Sequence, residues 1–100
     1  MRLSCLPVSF FSDIMAGRMS VGEWAQIGVQ AGLDAIDLSI LFLPERSLRA
    51  ARLMRREIED QGLGVAMITT YPDFTHPDEE RRKRELELAC ENIELAAEIG

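Results

Sequence analysis

A chain of 100 residues is one domain's worth at most, and 47% apolar with 28% charged residues excludes disordered, collagen-like, coiled-coil and disulfide-stapled classes. Eleven basic against 17 acidic residues give a formal charge of −6, which makes the domain a poor partner for phosphate backbones and argues against nucleic-acid binding.

The first predicted strand runs from Leu3 to Phe10, with Pro7 implying an edge position or a bulge. Ser20-Val21-Gly22-Glu23 has the form of a capping box. It opens a helix whose apolar side carries Trp24, Ile27 and Ala31. Gly28 within that helix costs roughly 1 kcal/mol against Ala unless a close contact requires it. Gly32-Leu33 then leads into a second strand, Ala35 to Leu41. The second helix, about Ser47 to Gln61, presents Leu48, Ala51, Met54 and Ile58 at helical spacing. Gly62-Leu63 leads into a third strand, Val65 to Thr69. Thr75-His76-Pro77-Asp78 starts a third helix, with Thr75 as its cap and Pro77 in its first turn. Its apolar stripe is Leu86, Ala89, Cys90, Ile93, Ala96 and Ala97.

Three times an amphipathic helix runs into a glycine, at Gly32, Gly62 and Gly100, with spacings of 30 and 38 residues. Glycine suits the left-handed residue just past a helix end, and the spacings match successive βα modules. The second and third strands are apolar on both alternating faces, as parallel strands covered by helices must be. The order β-α-β-α-β-α therefore predicts an α/β fold with parallel strands, an incomplete (β/α)8 barrel, since a closed barrel takes about 250 residues. Residues 1–100 are expected to be the N-terminal part of a longer barrel domain, the chain stopping where a fourth strand should begin.

Cys5 and Cys90 have no zinc-like spacing and read as two buried free thiols in a reducing compartment. The apolar start is short, is broken by Ser and Pro, and is followed closely by Asp13, so it is not a secretory signal. No stretch approaches the roughly 20 apolar residues of a membrane span. A cytoplasmic location is expected.

Ala31-Gly32-Leu33-Asp34-Ala35-Ile36-Asp37-Leu38 resembles the second-strand phrase of the sugar phosphate isomerase/epimerase family, the xylose-isomerase-like TIM barrels. Asp73-Phe74-Thr75-His76-Pro77-Asp78, with Ile93-Glu94-Leu95-Ala96-Ala97-Glu98-Ile99-Gly100, resembles that family's third βα unit. The resemblance implies an isomerase or epimerase of sugars or sugar phosphates, moving a proton through an enediolate with a divalent metal (Mn, Mg, Co or Zn). The metal ligands would come from later strands, so this segment supplies no metal ligand and no catalytic residue, and alone is expected to be inactive. Asp37 stands where the family usually has Glu, one methylene longer.

In such barrels function collects at the C-terminal ends of the strands. The candidate substrate-binding residues are Phe10, as an apolar wall or as core packing; Asp37, as a pocket carboxylate or a structural hydrogen-bond partner; Thr69; and Asp73, which a Pro-Asp turn also explains. Ser9, Phe11, Ser39, Thr70 and Tyr71 fall at the same strand ends. His76, the single histidine, is expected at the surface rather than on a metal. Arg46, Arg49, Arg52 and Arg56 form a solvated basic helix face neutralised by Glu57, Glu59 and Asp60. The pairs Glu79/Lys83 and Glu80/Arg84 stand at i,i+4.

A small-molecule sugar or sugar phosphate is the expected partner, with no nucleic acid and no membrane; a homo-oligomer is left open for the intact protein. The alternatives are a polyol dehydratase or an abasic-site endonuclease on the same fold, or a non-catalytic interaction module with flavodoxin-like strand order. Thr69-Thr70-Tyr71, in place of a metal-binding His at the end of strand three, disfavours the endonuclease.

Overall fold

The computed structural model describes residues 1–100. Three strands, β1 (Ser4–Cys5), β2 (Ala35–Ser39) and β3 (Gly64–Thr69), pair in parallel in the order β1-β2-β3. Four helices accompany them: α1 (Phe11–Met15), α2 (Val21–Gln30), α3 (Leu48–Glu59) and α4 (Glu79–Ile99). The α/β class and the parallel sheet are as the sequence predicts. A flavodoxin-like sheet would place its first strand between the second and third, so the observed order excludes that alternative.

The first strand is much shorter than Leu3–Phe10. Pro7, with φ −80° and ψ 62°, turns the chain so that the Val8 N–H donates to the Leu6 carbonyl at 2.8 Å. This is an inverse γ-turn. It ends the ladder, and a 3-10 turn (Val8–Phe10) follows. Asp34 pins the short strand to its neighbour: its carboxylate accepts from the Leu3 N–H at 2.7 Å and its own N–H donates to the Leu3 carbonyl at 2.9 Å. The second strand also stops early, because the Ser39 hydroxyl accepts from the Leu41 N–H at 3.2 Å and bends Ile40–Phe42 into a 3-10 turn.

Helix starts follow their caps. The Ser20 hydroxyl accepts from the Glu23 N–H at 3.0 Å, and the Ser47 hydroxyl accepts from the Ala50 N–H at 3.1 Å. The third predicted helix begins later than expected. Asp78, not Thr75, is its cap, accepting from the Glu80 N–H at 3.1 Å, and Pro77 lies just outside the helix. Gly32 and Gly62 have φ of 79° and 85°, the left-handed geometry a β-carbon would oppose. The contact that Gly28 calls for is present: a β-carbon there would lie 3.1 Å from Ile36 and 3.2 Å from Leu63.

The core lies between the sheet and its helices. Ile36 and Leu38 of β2 meet Val21, Trp24 and Ala25 of α2, Ala51, Met54 and Ile58 of α3, and Leu95 and Ile99 of α4. Two faces differ from the sequence reading. In α3, Ala50 is buried while Leu48 is exposed. In α4 the buried residues are Asn92, Leu95 and Ile99, whereas Leu86, Cys90 and Ile93 of the predicted stripe are exposed. Cys5 is exposed as well, so neither thiol is buried. The physical reason is shared. A long helix with apolar residues on two sides can bury only the side that meets the sheet present, and Cys5 sits on an edge strand paired on one side only.

The Arg52–Glu98 salt bridge at 2.5 Å links α3 to α4, and Arg46, just before α3, reaches Glu91 of α4 at 3.3 Å. The arginine face is thus solvated but partly crosslinked. Glu79 and Lys83 approach to 4.0 Å, while Glu80 and Arg84 form no bridge. No helix is long and apolar enough to cross a membrane.

Candidate functional site

Side chains alternate along a strand, so β2 sorts its residues into two rows. Ile36 and Leu38 face the helices, and Ala35, Asp37 and Ser39 face the other way. Parallel pairing sets Met67 of β3 beside Asp37 and Thr69 beside Ser39. This second face has no helix over it, and Met67 is 54% exposed. It is the side that a closed barrel would turn inward. A bulge between Ile36 and Asp37 shifts the register with β3, which places Met67 rather than Ala66 next to the carboxylate.

Asp37 is only 8% exposed, and its Oδ1 has no hydrogen-bond partner. A buried carboxylate without a donor costs free energy, so the position is held against its own solvation. Ser39, at the C-terminal end of the same row, is buried, and its Oγ lies 3.0 Å from the Tyr71 hydroxyl. The Tyr71 side chain is 53% exposed and also lines a cleft of about 190 Å³ with Arg46, Glu85 and Asn92. Asn92 is buried there with its Oδ1 unpartnered.

The four candidate residues therefore divide. Asp37 and Thr69 share the open face. Phe10 instead packs on Trp24, ring centroids 6.1 Å apart, and belongs to the apolar contact around α2. Asp73 closes a turn. Its Oδ1 accepts from the Thr75 N–H at 3.1 Å and the Thr75 hydroxyl at 2.9 Å, and these bonds hold its carboxyl below the usual aspartate range. His76 is similarly engaged: its Nδ1 accepts from the Asp78 N–H at 3.1 Å.

No three His, Cys, Asp or Glu side chains converge anywhere in the chain. The pairing of Ser39 with Tyr71, 32 residues apart, has no local signature. Its one trace in the sequence is that both residues fall just at predicted strand ends.

Residues 25–100, from within α2 through α4, match the family model described as a xylose isomerase-like TIM barrel. Comparison with curated proteins gives no match.

Proposed function

The chain belongs to the xylose isomerase-like TIM barrel family, a family that includes many enzymes, and from that premise we propose that residues 1–100 are the N-terminal arc of a sugar or sugar-phosphate isomerase or epimerase. The observation that carries the reading is the open face of β2, where a buried carboxylate lacks a donor beside strand ends that project hydroxyls. Sugars present hydroxyl donors on an apolar carbon skeleton. Asp37 accepts from one such hydroxyl, Met67 lies against carbon, and Thr69 offers a further hydroxyl at the strand end.

The divalent cation that the family implies does not fit residues 1–100. No three potential ligands come together, the His76 Nδ1 and the Asp73 Oδ1 accept from local donors, and Asp37 stands alone. Metal ligands and the groups that move the proton therefore lie in barrel strands beyond these residues, and the role of this arc is to bind and orient.

The test is an assay of the intact protein in deuterium oxide against free and phosphorylated aldoses and ketoses, with Mn²⁺, Mg²⁺, Co²⁺ or Zn²⁺ supplied. Isomerisation or epimerisation with deuterium entering beside the carbonyl is expected. Turnover of a cyclic polyol by dehydration, or cleavage of abasic DNA, without such exchange overturns the reading.

A further inference from the structure

Asn92 is the polar member of the buried row of α4 that continues with Leu95 and Ile99. It is 8% exposed, and its Oδ1 is sealed with no hydrogen-bond partner. A leucine would avoid that cost, so packing does not account for an amide at this position. Sealing applies to Oδ1 alone. The amide nitrogen, also without a partner in the chain, keeps access to the cleft of about 190 Å³ that Asn92 lines. This cleft is bounded by α4 and by the segments that follow β2 and β3, and no residue of the open sheet face lines it.

The two ends of the cleft carry opposite charge. Arg46 reaches Glu91, the neighbour of Asn92, at 3.3 Å, which places the guanidinium at the Asn92 end with N–H groups to spare. Glu85 stands seven residues before Asn92 on the same helix face, about two turns or roughly 10 Å away. One of its carboxylate oxygens meets the Asp73 N–H at 3.4 Å, and the other is free. Between the ends, Leu41, Leu88 and Ala89 line the cleft with carbon.

We propose that this cleft binds a small linear zwitterion, an ω-amino carboxylate whose carboxylate meets Arg46 and the Asn92 amide N–H groups and whose ammonium meets Glu85. The spacing sets the length: a five-carbon stem, extended and with a hydrogen bond at each end, covers two helical turns. The volume sets the size, since drug-sized ligands take clefts of roughly 300 Å³ or more. The site stands apart from the sugar reading, because it needs neither Asp37 nor a metal.

The probe is 5-aminopentanoate, titrated into the intact protein and followed by saturation-transfer NMR. Pentanoate and 1-aminopentane, each lacking one charged end, are titrated alongside it. The zwitterion is expected to bind about tenfold more tightly than either. Glu85→Gln should remove its advantage over pentanoate. Arg46→Gln should weaken the zwitterion and pentanoate together while leaving 1-aminopentane unchanged. Neither residue is buried, so neither variant threatens the fold. Asn92→Leu should weaken carboxylate binding as Arg46→Gln does and raise the urea midpoint; a lower midpoint would make the amide structural and overturn its role here. No binding of 5-aminopentanoate, equal affinity for pentanoate, or an affinity indifferent to Glu85→Gln and Arg46→Gln each sinks the proposal. No turnover is read, so this result and the isomerase assay fail or succeed separately.

Discussion

Asp37 is the residue on which local chemistry and function conflict. Its carboxylate is buried on the open face of the sheet with one oxygen unpartnered, a state that solvation disfavours and that a ligand hydroxyl would relieve. Asp37→Val removes the charge and suits a strand. It is expected to stabilise the unliganded protein by about 1–2 kcal/mol, read as a higher urea midpoint at unchanged slope, while weakening sugar binding. A lower midpoint would show that the carboxylate is satisfied in the native state. Residues of the same type elsewhere have opposite fates. Asp73 and Asp78 each accept from a backbone N–H two residues on, in a turn and a cap, and their placement follows from sequence neighbours alone, whereas Asp34 accepts from Leu3, 31 residues away. Gly22 shows a tertiary demand at a single position. Its N–H donates to Glu57 of α3 at 2.9 Å, and a β-carbon there would stand 2.6 Å from that carboxylate oxygen.

The helices show how one sequence pattern allows two burial choices. α4 carries an apolar row at Leu86, Cys90 and Ile93 and another at Leu95 and Ile99, and packing against the sheet selects the second. Leu95→Ala is therefore expected to destabilise by about 2–5 kcal/mol, as for truncation in a packed core. Ile93→Ala, at a side chain 69% exposed, should stay within about 0.5 kcal/mol in residues 1–100. Thermal unfolding of the two variants compares them directly, and equal losses would mean that both rows are buried. The caps were more legible. Ser20 is read from sequence because an N-cap is a bond between residues three apart, and Ser47 makes the same bond at the start of α3. Thr75 lost that role because Asp73 had already captured its N–H and hydroxyl, leaving Asp78 to begin the helix.

At the level of the whole molecule, residues 1–100 do not close on themselves. The radius of gyration is 14.5 Å, against about 13 Å for a compact domain of this length. The accessible surface of 6596 Å² exceeds the roughly 5,700 Å² that a folded monomer of 11.2 kDa would show. The excess lies where an arc of a barrel is open: at the free edges of β1 and β3, on the inner face at Met67, and along the outer row of α4. Free parallel edges and apolar faces invite association, so residues 1–100 expressed alone are expected to self-associate. Sedimentation velocity reads this directly, and a monodisperse monomer with a single cooperative melting transition would contradict it.

By itself the sequence determined the alternation of helix and strand, the parallel character of the sheet, the glycine helix ends and the Ser20 cap. All of these depend on periodicity or on bonds between residues a few positions apart. The fold family was legible too, in the phrase around Asp37 and in the order of the units. Only the tertiary structure decided where β1 stops, which row of α4 is buried, that Phe10 belongs to Trp24, and that Ser39 meets Tyr71. Those outcomes are competitions between groups distant in sequence for the same space or the same proton, and local patterning carries no information about who arrives first.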